Sequence, residues 1–499
     1  MLKPGETVSV STSTPAGCVP LVVPDPRRWA AMAVLFLASF MNVLDVSIVN
    51  VALPDIRHRL GASSTELQWV LAVYVLAFAA GLLPFGRFGD VLGRKRLFML
   101  GLSGFTLGSL MCGVASTIEI LIIARLFQGI AGAMMVPQVL AIVHVIFPAN
   151  EKPRAFALFG TVTSLGAVMG PLVGGALVSA DIADTGWRSI FLVNVPFGLL
   201  ALVAGQRLIP NQPSDRTIGA DPLGMALFAI TIMLLVFPLI EGRDLGWPWW
   251  SFAMMAAALP MALAFRRWQD IRARRALAEL LPATLLAEYE FVVGIALVTL
   301  FFSGIPGLFL ILAVFFQSGF GFTAFQSGLA TLPFPVGVML AFAVTGHIGP
   351  KRPVIRVTIG ALLLAIGMLI LQLMLRRIGT SIDVFYFAVP LLICGAGTAI
   401  TIASLFQSVL AAVAGADAGA GSGALQSFQQ IGSALGIALV GQIFFSTLST
   451  EALSTEVIAS TAYVEATVAA TWYPIAAFAT IMCVSAWRAL HEDQQIQSA

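Results

Sequence analysis

Long apolar runs separated by short polar stretches organise the whole chain. A window of about nineteen residues finds about fourteen runs long enough to cross a bilayer as helices, each needing about twenty apolar residues. The first six cover 29–51, 67–85, 97–115, 121–143, 155–178 and 187–204, and a polar stretch from Gln206 to Asp221 follows them. Two more, over 222–240 and 249–265, precede a basic segment holding Arg266, Arg267, Arg272, Arg274 and Arg275. The last six cover 291–316, 325–345, 354–375, 384–405, 423–445 and 469–487. This six, two, six layout predicts an all-α membrane protein of fourteen transmembrane helices. It divides into a tail at 1–28, a six-helix bundle at 29–205, a linker with two inserted helices at 206–290, a second bundle at 291–487 and a tail at 488–499.

Charge gives the layout a direction. The densest polar stretch, Gly86 to Arg96, packs four cations, one acid and three glycines between two apolar runs. Loops rich in Lys and Arg beside transmembrane helices stay cytoplasmic, so this stretch reads at least as a topogenic, compact membrane-surface loop. With the N-terminus inside, about twenty basic residues fall on the cytoplasmic side and about six outside. An even number of spans then returns the C-terminus to the cytoplasm. The segment between the last two spans carries Glu451, Glu456 and Glu465 without a Lys or Arg and is expected outside. A degraded copy of the basic loop, Gly346-His-Ile-Gly-Pro-Lys-Arg352, recurs at the corresponding place in the second half without the aspartate. Paired six-helix halves are the mark of duplicated transporters.

Composition removes other classes. With 59% hydrophobic residues the chain exceeds what a soluble domain can bury. A net charge of +2 with scattered basic residues lacks the footprint of a nucleic-acid binder. Cys18, Cys112, Cys394 and Cys483 are too far apart in sequence to suggest a metal site or a disulfide framework. His144 and His347 lie at span edges without metal-ligand spacing. No cofactor, metal or catalytic group is expected. A membrane enzyme or receptor would need clustered catalytic residues or a soluble signalling segment, and neither is visible.

An ionisable residue deep in a span costs roughly 2.5–3.5 kcal/mol on insertion scales and marks function by default. Asp45 in the first span and Arg125 in the fourth each lie about six residues, roughly 9 Å, from the outer end of their helices. At matching depths they form either an ion pair that sets helix register or a proton site. Gly166, Gly170 and Gly174, with Pro171 and Gly175 beside them, make a small-residue seam with a bend in the fifth span. Asn50, Gln68, Tyr74, Gln128, Phe316, Gln317, Gln426 and Gln430 are candidates for lining a substrate cavity. The plainer reading makes such polar and aromatic residues interfacial belts or interhelical bonds. Trp69 and Gln407 stand in the same position.

Four motifs in order resemble the major facilitator superfamily, and within it the fourteen-span drug/proton antiporters. Gly86, Asp90, Gly93, Arg94 and Lys95 match its signature loop, with Phe88 where leucine is commoner. Asp45, Asn50 and Pro54 match the first-helix motif, Arg125, Gln128 and Gly129 the fourth, and the Gly166 to Gly175 stretch the fifth. Gln426 and Gln429 depart from relatives that carry asparagine and arginine there. The resemblance implies alternating access between two bundles, with the signature loop latching the cytoplasmic side. It implies proton coupling at Asp45 and Arg125 and export of a small amphipathic substrate from a bacterial cytoplasmic membrane. Asp45 is the only acid well inside any span, and one carboxylate neutralises one positive charge, so a monocationic or neutral substrate is expected. A monomeric protein is expected as well. Broad drug export and dedicated export of one self-made antibiotic both remain open.

Overall fold

The computed structural model describes residues 26–148, 151–211, 221–242, 245–275, 277, 279–348, 353–378, 382–411, 413, 418–448 and 456–498. Within them the fold is built from fourteen long helical rods. The first bundle contains α1 (Arg28–Leu60), α2 (Ser64–Leu92), α3 (Arg94–Gly113), α4 (Ile118–Ile146), α5 (Lys152–Ala180) and α6 (Gly186–Leu208). Two helices follow, α7 (Pro222–Glu241) and α8 (Trp249–Arg274). The second bundle begins with α9, which runs Tyr289–Ser303, breaks, resumes as Pro306–Val314 and closes in a π-helical turn, Phe315–Gly319. It continues with α10 (Ala324–Thr331, then Pro333–Ile348), α11 (Pro353–Leu375), α12 (Ala388–Ala411), α13 (Ala418–Thr447) and α14 (Glu456–Ser498). Among the described residues, twelve helices are long and apolar enough to cross a membrane. The other two rods are α5, of which Met169–Ala180 counts as a shorter apolar helix, and α8. The chain is a multi-pass membrane protein.

The same packing scheme is built twice. In the first bundle α3 packs on α4, α2 on α4, α1 on α5 and α3 on α6; in the second, α11 packs on α12, α10 on α12, α9 on α13 and α11 on α14. Between bundles, α2 meets α13 and α5 meets α10, two contacts that exchange under the same correspondence. A local repeat explains the matching starts of α2 and α10. Gly61 and Gly321 adopt left-handed backbone, φ 66° and 68°, which glycine takes without penalty. Two residues later Ser63 and Thr323 cap the helices, and Glu66 and Gln326 bond back to the cap amides at 2.7 and 2.9 Å. Both turns spell Gly-x-Ser/Thr-x-x-Glu/Gln, a clearer trace of duplication than the copied basic loop.

The charged stretch Gly86 to Arg96, expected as a compact membrane-surface loop, is mostly helical. α2 continues through Leu92 and α3 starts at Arg94, so the whole turn is made at Gly93, whose φ of 95° requires glycine. Gly89 lets Gln138 of α4 lie against α2, where its amide donates to the carbonyl of Phe85 at 2.8 Å. Arg94 donates to the Ala141 carbonyl of α4 and Lys95 to the Gln206 carbonyl near the end of α6, both at 3.0 Å. Lys95 sits where the last carbonyls of α6 run out of amide partners. The side chain of Asp90 and residues 349–352 of the second copy lie outside the described part, as do 1–25, 212–220 and 449–455. Glu465, expected in a connecting segment, instead sits inside α14, because the helix begins at Glu456.

The two bundles touch at the end away from Gly93. Gln317 Nε2 donates to the Val51 carbonyl at 2.8 Å, and the Phe325 amide donates to Ser179 Oγ at 3.1 Å. A Cβ on Gly175 would stand 2.6 Å from the Ala324 carbonyl oxygen, and one on Gly441 2.7 Å from the Gln68 side chain. These residues lie where α1, α5 and α9 finish and where α2 and α10 begin, the end away from Gly93. At that end Arg59 clasps α1 to the α5–α6 turn, reaching Asp55 at 3.2 Å and Asp181 and Asp184 at 2.8 Å each.

The glycine seam of α5 faces protein on two sides. Added carbons at Gly166 and Gly174 would lie 3.2 Å from the Phe40 carbonyl oxygen and 2.6 Å from Ile48 of α1, and one at Gly170 would overlap Ser47. Pro171 and Gly175 touch the other bundle through Gly328 and Ala324. Gly174→Leu is therefore expected to cost about 1–3 kcal/mol, read as a lower midpoint in thermal unfolding of the purified protein. Gly86→Ala, with nothing within 4 Å of the new carbon, should not lower it.

The Arg59 clasp predicts a pH dependence. Arg59 first, and then the Gly186 amide, hold the Asp181 carboxyl below its ordinary range. A lowered folded value stabilises above the ordinary carboxylate range, near pH ~4, and the contribution is lost as pH falls through the lowered value. The stability gap between the parent and Asp181→Asn should be constant from neutral pH to that range and shrink below it. A gap unchanged in acid would show that the carboxylate charge does not act there.

Candidate functional site: a buried ion pair

Asp45 and Arg125, 80 residues apart, meet in the interior of the first bundle. Arg125 Nη1 lies 2.5 Å from Asp45 Oδ2, and the side chains are 1% and 0% exposed. Pairs of this kind survive only when the remaining lone pairs and protons are satisfied, and here nearly all are. Asp45 Oδ1 accepts from Gln128 Nε2 at 2.9 Å and from Asn194 Nδ2 of α6 at 3.2 Å. Arg125 also donates to Gln128 Oε1 at 2.8 Å and, through Nε, to the Val70 carbonyl at 3.2 Å. Gln128 Nε2 adds Ser109 Oγ of α3 at 2.8 Å. The guanidinium lies 4.1 Å from the Tyr74 ring centroid and 5.6 Å from that of Phe191. Tyr74 accepts a 2.6 Å hydrogen bond on its hydroxyl from Asn42.

One carboxylate thus gathers α1, α2, α3, α4 and α6. Local structure makes this possible. Asn42 and Asp45 are three apart on α1, and Arg125 and Gln128 three apart on α4, so each pair projects from one helix face. Gly132 and Gly129 bring α4 against α2, an added carbon at Gly129 standing 2.5 Å from the Tyr74 carbonyl oxygen. The Tyr74 ring can then cover Arg125.

The proposed cavity residues separate into three groups. Tyr74 and Gln128 are buried inside the first bundle as members of the network. Gln68, Phe316 and Gln317 belong to the closed end. Gln68 is fully buried against Gly441, and its amide has no partner among the described residues. Phe316 stacks on Phe322 at 5.4 Å, and Gln317 holds Val51. Asn50, Gln426 and Gln430 are half-exposed. Asn50 donates to the carbonyls of Val46 and Ser47 in its own helix, and Val46 one turn earlier is exposed. Trp69 is bonded to Glu241 of α7 at 2.6 Å, which fastens α7 to α2. The side chains of His144 and His347 lie outside the described part.

Sequence reasoning passed over Asn42, Ser109 and Asn194. Asn194 carried a usable signal, an isolated amide in an apolar run at the depth of the pair. It also passed over Asp221, which anchors the base of α7 to α8 through Trp268 and Gln269, both at 2.8 Å.

Residues 35–437 match the family described as the Major Facilitator Superfamily. A probable actinorhodin transporter of Streptomyces coelicolor is 38% identical over 86% of this chain and 74% of its own length. A multidrug resistance protein, Stp, of Mycobacterium tuberculosis is 33% identical over 83% of this chain and 75% of its own. A tetracenomycin C resistance and export protein of Streptomyces glaucescens is 29% identical over 84% and 76%. Among solved structures, a POT family transporter with a thioalcohol-conjugated peptide superposes with TM-score 0.66 at 14% identity, over 93% of this chain and 96% of that one. These structures share the fold.

The network predicts strong non-additivity. Asp45→Asn or Arg125→Gln alone leaves one buried charge unpaired and should cost about 3–5 kcal/mol, measured as a fall in unfolding midpoint. The double variant should lose clearly less than the sum of the two. Additive losses would show that the charges do not depend on one another.

Proposed function

This chain belongs to the major facilitator superfamily, and from that premise we propose that it exports amphipathic drugs or antibiotics in exchange for protons by alternating access. It is a transport protein rather than an enzyme. The observation that carries the proposal is a buried carboxylate–guanidinium pair in a first bundle whose α1 reaches the second bundle through Val51 and Gln317. We place the end that holds Val51 and Gln317 outside and Gly93 inside, in a bacterial cytoplasmic membrane, with both termini in the cytoplasm and fourteen spans including α5, α7 and α8. The even span number and the basic residues near Gly93 and at the end of α8 support this orientation.

Asp45 carries three donors in this state, from Arg125, Gln128 and Asn194. A proton on it cancels the carboxylate and leaves Arg125 with Gln128, the Val70 carbonyl and two ring faces. An unpaired buried cation is costly, so protonation favours an arrangement in which Arg125 finds another acceptor or water. Because Asp45 holds α1 to α4 and α6, that rearrangement shifts α1, whose outer part carries Val51 and the contact to Gln317. Proton binding thereby alters the closed end. Substrate occupies the exposed side of α1 near Asn50, with Gln426 and Gln430 opposite, and Asp90 latches the cytoplasmic side in the other state.

Dedicated export of one self-made antibiotic is the second reading, favoured by the names of the actinorhodin and tetracenomycin relatives. A panel of toxic compounds separates the two: protection against one chemical class alone would establish dedicated export.

Charge balance tests the coupling. Asp45 is the only acid well inside any span, so one carboxylate can balance one cationic charge in the cycle; monocations or neutral amphiphiles are expected to be exported and rigid dications handled poorly. One proton exchanged for a monocation moves no net charge, so only the pH gradient drives it. A neutral substrate moves one charge per cycle, and the membrane potential adds about 2.3 kcal/mol per 100 mV. Vesicle efflux with each gradient collapsed separately distinguishes these cases, and Asp45→Asn should abolish proton-driven efflux in both. Efflux by Asp45→Asn at the parent rate would overturn the mechanism.

A further inference from the structure

A cavity of about 590 Å³ opens between the end of α11 and the first turns of α14, outside the ion-pair network and the gap between bundles. Its mouth holds Arg376 and Glu465, with Ser460 and Thr461 beside them and Trp472 further along. The cavity lies on the flank of the bundle. On α11 the exposed residues are Ile359, Leu362, Ile366, Leu369 and Leu373, spaced by three and four, so they form one apolar ridge facing the hydrocarbon. Arg376 falls three residues beyond Leu373 and ends that ridge. On α14, Thr461, Glu465 and Trp472 share a face at i, i+4 and i+11. Trp472 is 50% exposed and lies about 10 Å further along the helix than Glu465. Tyr463, next to the cavity, packs under Gly319 of the π turn, which places the mouth at the closed end of the molecule.

Arg376 and Glu465 are both exposed, come from different helices, and neither takes part in an ion pair among the described residues. A cation and an anion at one mouth, above apolar walls and an aromatic ring, complement a head group carrying both charges. We propose that this cleft binds one phospholipid with an ethanolamine head group. Arg376 takes the phosphate in charge-assisted hydrogen bonds. Glu465 accepts N–H bonds from the primary ammonium, and an acyl chain runs along Val464 and Val468 past Trp472. A choline head group has no N–H to give Glu465, and an anionic head group meets its repulsion. The volume falls within the roughly 300–1,000 Å³ of small-molecule sites.

The test uses the full-length protein in vesicles containing ethanolamine, choline or glycerol phospholipids with brominated acyl chains. Subtracting the fluorescence of Trp472→Phe isolates Trp472 from the other tryptophans. The ethanolamine lipid should quench Trp472 at several-fold lower mole fraction than the choline lipid. Glu465→Gln and Arg376→Ala should remove that preference while the remaining tryptophans are quenched as before. Equal quenching by ethanolamine and choline lipids would reduce the cleft to ordinary boundary lipid and overturn the proposal. Stronger quenching by the glycerol lipid would show that phosphate alone is read. Displacement by soluble phosphoethanolamine at matched concentration would refute a lipid occupant. Both variants change exposed side chains, and an unchanged unfolding midpoint confirms that they fold.

Discussion

The placement of the first bundle depends on one constraint, that Asp45 and Arg125 cannot be buried separately. An isolated ion in a low-dielectric interior costs several kcal/mol even after relaxation, so the helices that carry these two residues must come together at matching depth. Gln128, Asn194, Ser109 and the Val70 carbonyl then take the hydrogen-bonding capacity that remains. Five helices are fixed in register by groups that occupy a few ångströms. A simple hydrophobic core specifies register less sharply, because apolar side chains tolerate sliding that a hydrogen bond does not.

The same arrangement makes the pair suitable for coupling. It touches the helix that reaches the second bundle through Val51 and Gln317, yet it stands away from the exposed side of α1 at Val46 and Asn50. In the proposed cycle a proton acts on one side of α1 and a substrate on the other, so the two sense each other through the position of a helix and need not share an atom. That differs from direct competition for one carboxylate. The glycines of α5 serve both faces of this helix: Gly166, Gly170 and Gly174 seat it on α1, and Pro171 and Gly175 press it against α10. A helix that contacts its own bundle and the opposite one without side chains between them can roll at a seam with little repacking.

Duplication explains why the closed end is two-fold in character. The α2–α13 and α5–α10 contacts are the same contact made twice, and each uses a glycine where backbone or a side chain of the other bundle arrives. The ion pair is not duplicated; among the described residues the second bundle carries no buried ion pair. The buried charges on which the proposed coupling rests therefore lie in the first bundle, while Gln426 and Gln430 of the second are neutral.

Much was legible in the sequence because the bilayer imposes a simple code. Span lengths, the paired layout and the depth match of Asp45 with Arg125 all follow from the cost of leaving polar groups in hydrocarbon, a cost each residue carries whatever its neighbours. What surrounds that pair was not legible. Tyr74 and Gln128 look the same in sequence whether they face a cavity or a neighbouring helix, since helical rotation decides between these and rotation is set by packing. Asn42, Ser109 and Asn194 joined the network only once five helices converged. The charged stretch read as a compact surface loop, yet a single positive φ at Gly93 made the entire turn. Which end of the molecule is closed, and the cleft at Arg376 and Glu465, arise from contacts between helices far apart in the chain, and so only the tertiary structure decided them.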